Sequence, residues 1–159
     1  MILIGFMGSG KSTVARRLGE RMQLPAIDLD DEVVRMSGMD IPKIFKAEGE
    51  SGFREREYAA LKQFSEAECI VATGGGIVTY GPSYSLLQDM EVPVIYLHAD
   101  FDTLYTRIKE DSNRPLVKSR EQVKALYKER LGRYRKLANQ EIDCNRSVEQ
   151  IVSNIFEIQ

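Results

Sequence analysis

At 159 residues, with 43% hydrophobic and 29% charged residues, the chain has the size and composition of one globular domain that buries a full core without staples. A formal net charge of −2 argues against a nucleic-acid binder, and no apolar run approaches the about 20 residues that span a membrane. Cys69 and Cys144 lie too far apart in sequence for a metal knuckle or a disulfide framework, so two reduced thiols in a cytoplasmic protein are expected, and a small chain without an obvious apolar surplus predicts a monomer.

Short apolar runs alternate with amphipathic stretches, the pattern of a parallel sheet covered by helices on both faces. Residues 1–4 form a very short first strand that runs straight into a glycine-rich turn at 5–10, which excludes a signal peptide. Residues 11–22 predict a helix, with Val14, Leu18 and Met22 inside and Arg16, Arg17, Glu20 and Arg21 outside. Pro25 interrupts, and 26–29 make a second strand. Residues 31–65 carry no strand signal and predict successive helices punctuated by Gly38, Pro42 and Gly49, a helical insertion on the substrate side. Strands follow at 69–73 and 92–97, the latter almost wholly β-branched or aromatic and so buried on both faces. A helix at 101–109, a polar loop at 110–120, a long helix at 121–137, a weak strand at 141–144 and a closing helix at 148–158 complete the order.

Gly5-Phe-Met-Gly8-Ser9-Gly10-Lys11-Ser12 satisfies GxxxxGK[ST] between an apolar strand and an amphipathic helix, as a phosphate cradle requires. Glycines let backbone N–H groups turn toward phosphate oxygens at the positive end of the helix. Lys11 would bridge the β- and γ-phosphates of a nucleotide, and Ser12 would offer a hydroxyl to Mg²⁺.

Asp28 and Asp30 close the second strand, where α/β sheets place ligands, and their i, i+2 spacing on a strand would point both the same way. Metal outer shell or hydroxyl acceptor is the expectation for this pair, whereas Asp31 and Glu32 read as acids favoured at a helix start. Arg54 and Glu57 share the inner face of a helix with Phe53, Ala60, Leu61 and Phe64. The residues alone leave a structural salt bridge and a carboxylate-binding arginine equally open. Gly74, Gly75 and Gly76 after Thr73 suggest close approach of a ligand to bare backbone. Arg130 interrupts the apolar stripe Val123, Tyr127, Tyr134, Leu137 and calls for an anion. Arg114, in the polar loop, is placed to close over transferred phosphate. His98, the single histidine, reads as structural.

Together Gly5 to Thr13, Asp28-x-Asp30, Gly52-Phe-Arg-x-x-Glu57, Thr73-Gly-Gly-Gly76 and Arg114-Pro-Leu116 resemble, in order and spacing over essentially the whole chain, the shikimate kinases. The resemblance implies a five-stranded parallel sheet in the order 2-3-1-4-5, a helical substrate-binding subdomain at 31–65 and a lid at 110–122 within one P-loop kinase domain, 1–159. It implies ATP and Mg²⁺, with Gly8, Ser9, Gly10, Lys11, Ser12, Thr13, Arg107 and Arg114 on the nucleotide. Ser12 and Asp28 would serve the metal. Asp30, Arg54, Gly75, Gly76 and Arg130 would hold shikimate, and Lys11, Asp30 and Arg114 would carry catalysis, Asp30 as the candidate proton acceptor for a 3-hydroxyl. Two features depart from the family pattern: only four residues precede Gly5, and the adenine-side stretch Cys144-Asn-Arg-Ser147 lacks a proline. Two rivals remain at this level. One is a kinase of another polyol acid such as gluconate. The other is a nucleotide-dependent nucleic-acid module using residues 107–136, where 11 basic residues face 4 acidic ones.

Overall fold

Strands of three to five residues suffice, because the inner ones are buried on both faces. The computed structural model describes residues 1–109 and 119–158. β1 (Ile2–Ile4), β2 (Ala26–Asp28), β3 (Ile70–Ala72), β4 (Val94–His98) and β5 (Gln140–Asp143) form one parallel sheet in the order β2-β3-β1-β4-β5. β1 is the central strand, with Ile2 opposite Val71 on one side and Val94 on the other. The expected order is therefore observed. The chain winds outward from β1 in both directions, so the strand order reverses at its carboxyl end, the place where open α/β sheets bind ligands.

The helices are α1 (Lys11–Met22), α2 (Leu29–Ser37), α3 (Ile41–Gln63), α4 (Gly81–Asp89), α5 (Phe101–Lys109), α6 (Arg120–Leu137) and α7 (Val148–Glu157), with a 3₁₀ turn at Ile77–Thr79. α1 keeps its expected bounds, burying Val14 and Leu18, and ends where Gln23 takes a left-handed conformation ahead of Pro25. α7 opens with a reciprocal capping box between Ser147 and Gln150, which satisfies two otherwise orphaned donors. α3 is two helices joined at Gly49, whose φ of 70° and ψ of −172° no side-chain-bearing residue adopts readily. Arg56 braces this break with a two-pronged bond to the Glu48 carboxylate, at 2.8 and 2.6 Å.

Three expectations change. The second strand stops at Asp28, because the Asp28 side chain accepts the Asp30 N–H at 3.0 Å and caps α2. Asp30 thus stands in the first turn of a helix, not on a strand beside Asp28. α4 has no counterpart in the predicted elements. Of the expected lid, residues 110–118, including Arg114, lie outside the described residues, while Arg120, Glu121 and Gln122 form the first turn of α6 behind the Ser119 cap.

Candidate active site

The donor side begins where β1 ends. Gly8 and Gly10 hold φ near +81° and +85°, a region open to glycine, and at Gly8 a Cβ would also press on the Leu104 carbonyl. The first bond of α1 runs from the Val14 N–H to the Gly10 carbonyl at 2.9 Å. The amides of Ser12 and Thr13 therefore sit at the open, positive end of the helix, suited to an anion. Lys11 is buried, and its ammonium donates to the Gly5 carbonyl at 2.9 Å, the Phe6 carbonyl at 3.1 Å and the Ser9 hydroxyl at 3.3 Å. These bonds fix the loop around its own cation. Arg107 ties the loop to the turn after β5, donating to the Gly8 carbonyl at 3.3 Å and the Cys144 carbonyl at 3.0 Å.

A cleft of about 250 Å³ opens on this loop, lined by Gly8, Gly10, Lys11, Ser12, Thr13, Asp28 and Asp30, with Thr73, Gly74 and Gly75 opposite. Asp28 and Asp30 therefore face one space although only one of them is on a strand.

The acceptor side is built of buried charge. Arg54 from α3 is 5% exposed and Glu57 fully buried, joined Nη1 to Oε2 at 2.8 Å. Arg54 also reaches Glu50 through Nη2 at 3.1 Å. Arg130 from α6 is 3% exposed, with its guanidinium 5.9 Å from the Phe6 ring centroid. Neither Arg54 Nε nor Arg130 Nε has a hydrogen-bond partner among the described residues. Burial pushes the Glu57 carboxyl up to about 7, against the pull of Arg54 and Arg130, with Asp30 adding to the rise. Burial likewise raises the Tyr134 hydroxyl, which donates to the Gly75 carbonyl and so ties α6 to the triple glycine.

The glycines have a reason beside the expected one. A Cβ at Gly76 would overlap the Arg54 guanidinium, one at Gly74 would overlap the Glu57 carboxylate, and one at Gly75 would stand 3.1 Å from the Met7 amide. None of the three has a positive φ. Their first demand is room for the protein's own buried ion pair and P-loop. Arg54 and Arg130 are absent from the cleft wall itself; Arg54 lies buried against Gly76, and Arg130 lies buried over the Phe6 ring.

Comparison with known proteins identifies the family. The family model described as "Shikimate kinase" matches residues 7–159. The chain belongs to the shikimate kinase family. A shikimate kinase of Enterococcus faecalis is 39% identical over 99% of this chain and 96% of its own length. One from Thioalkalivibrio sulfidiphilus is 40% identical over 98% of the chain and 84% of its own. Among solved structures, the Acinetobacter baumannii shikimate kinase in complex with shikimate superposes with a TM-score of 0.92 at 34% identity, covering 99% of this chain and 90% of that one. A deoxyadenosine kinase from M. mycoides shares the fold alone, at 19% identity and a TM-score of 0.63. As a member of this family the chain is an ATP-dependent kinase with a small-molecule acceptor, and neither gluconate nor nucleic-acid chemistry is favoured. No described helix is long and apolar enough to cross a membrane.

Sequence reasoning missed Glu50 and the Tyr134 hydroxyl. Tyr134 was counted on an apolar stripe, but a buried phenol needs a hydrogen-bond partner, and that need was the available signal. Glu50 stands four residues before Arg54, the spacing of a helical ion pair. Cys69 and Cys144 are both buried free thiols, and burial raises each above the usual thiol range.

Proposed function

We propose that the chain transfers the γ-phosphoryl group of ATP to the 3-hydroxyl of shikimate, giving 3-phosphoshikimate and ADP. The observation that carries the acceptor assignment is the pair of buried guanidiniums with unpartnered Nε donors beside the P-loop cleft. Burying a charged donor without its bonds costs several kcal/mol, on the order of what a bound carboxylate would return. Arg54 and Arg130 would grip the carboxylate, the Gly75 and Gly76 backbone would border the ring, and Asp30 would accept from a ring hydroxyl and take its proton.

Lys11 would turn from the loop carbonyls to the β- and γ-phosphates, while the α1 amides at Ser12 and Thr13 and the backbone of Gly8, Ser9 and Gly10 cradle them. Ser12 and Asp28 border the same cleft, and among the described residues no group of three acidic, histidine or cysteine side chains is placed to hold a metal ion. That donor set fits Mg²⁺, which typically takes few protein ligands beside phosphates and water. When bound, the metal supplies neutralisation of phosphate charge. Arg107 would position the adenine side, and Arg114 is proposed from sequence as the lid arginine. Catalysis would then rest on positioning and charge stabilisation.

The same proposal treats 1–159 as one monomeric P-loop kinase unit, with 31–65 as the substrate-binding part and 110–122 as the lid. It is supported by the delivery of Arg54 and Glu57 from α3. Two buried free thiols fit a reducing, cytoplasmic setting. A coupled assay of ADP release with ATP and Mg²⁺ tests the function. Release should require shikimate; equal turnover on gluconate, or release without any acceptor, contradicts the proposal.

A further inference from the structure

Arg54 presents its donors on two edges. Nη1 faces Glu57, a wholly buried carboxylate that has nowhere to go. The side edge, Nε with Nη2, is the one that grips a carboxylate with two parallel bonds. In this structure that edge is half taken: Nη2 donates to Glu50 Oε1 at 3.1 Å, and Nε has no partner among the described residues.

The two glutamates differ in what holds them. The Glu50 side chain is 53% exposed, against 0% for Glu57. Glu50 is the first residue after the backbone break at Gly49, and the Glu48–Arg56 fork braces that break without using Glu50. An ion pair with one half-exposed partner is worth little, so Glu50 can leave at small cost, whereas Glu57 cannot.

We propose that Glu50 is an internal competitor for the substrate carboxylate, occupying part of the Arg54 fork until a better-placed carboxylate displaces it. The inference rests on the functional reading that Arg54 grips the acceptor's carboxylate. Glu50 acts through Arg54, as a positioning residue. It keeps the buried guanidinium partnered in the resting site, and it lowers affinity for every carboxylate that must displace it.

The test is calorimetric titration of shikimate into wild type, Glu50→Gln and Glu50→Asp, with KM and kcat measured alongside. The first variant removes the charge and the second shortens its reach. Loss of a half-exposed pair predicts that both bind shikimate about two- to five-fold more tightly. The change should fall on the KM for shikimate more than on kcat, with thermal unfolding near that of wild type. Weaker binding in both variants would show that Glu50 orients Arg54 productively, and unchanged binding would show that it does not compete; either overturns the proposal. A wild-type chain that bound no shikimate would defeat the functional reading together with this one, so the two failures are distinguishable.

Discussion

The donor half of the cleft is written in eight consecutive residues, Gly5 to Ser12, whereas the acceptor half is assembled from α2, α3, the glycines after β3 and α6. The first is mainly backbone: glycine torsions and amides at a helix end. The second is mainly side chains, with buried charges that balance one another across long sequence separations. A local backbone site tolerates change elsewhere in the molecule. A site made of mutually dependent buried charges does not, because removing one member strands the others.

The largest effect should come from the donor half. Lys11→Met should lower kcat by about 100- to 1,000-fold, the usual consequence of deleting one group that stabilises developing charge. Steady-state kinetics, with circular dichroism as a check on folding, would show it. Retention of more than a tenth of wild-type turnover would break the comparison, by showing that the cradle works without its cation.

Gly76→Ala tests the acceptor half through its packing. The added methyl meets the Arg54 guanidinium, so the variant should lose about 1–3 kcal/mol of stability in denaturant unfolding and bind shikimate more weakly. Full stability with weakened shikimate binding would return the glycine to its expected role of ligand approach alone.

The smallest predicted effect is a pH dependence. Burial raises Glu57 from 4.5 to about 7, so between those values the folded state holds a proton that the unfolded state has lost. Glu57 therefore contributes stability that is fully present below about pH 4.5 and is lost as pH rises through about 7. Glu57→Gln should flatten that part of the profile relative to wild type, measured as unfolding midpoints across the window. Parallel profiles would show that Arg54 keeps the carboxylate charged at all these values.

What could be read from the sequence follows the same division. The P-loop and α1 were legible, because local periodicity and a contiguous motif determine them, and the strand order followed from the resemblance to the shikimate kinases. Arg130 was legible as a cation misplaced on an apolar stripe, and Arg54 with Glu57 as a pair on one helical face. The Asp28–Asp30 geometry was not, because alternation assumes a strand and the Asp28 side chain starts a helix instead. α4 was missed because nine residues containing Gly81, Pro82 and the polar Ser83, Ser85, Gln88 and Asp89 bury only Ser83 and Leu87, too little for a period to show. The packing demand on Gly74–Gly76 was not legible, because what a glycine makes room for is a three-dimensional neighbour, here Arg54 and Glu57 some 20 residues away.

The separation of the two halves is most directly tested by titrating ATP and shikimate separately into Lys11→Met and Arg130→Ala. The account predicts that Lys11→Met binds shikimate as wild type does and ATP more weakly. Arg130→Ala should do the reverse, losing about ten-fold or more in shikimate affinity with ATP binding retained. If Arg130→Ala lost ATP affinity, or each variant weakened both ligands alike, the two halves would not be separate sites.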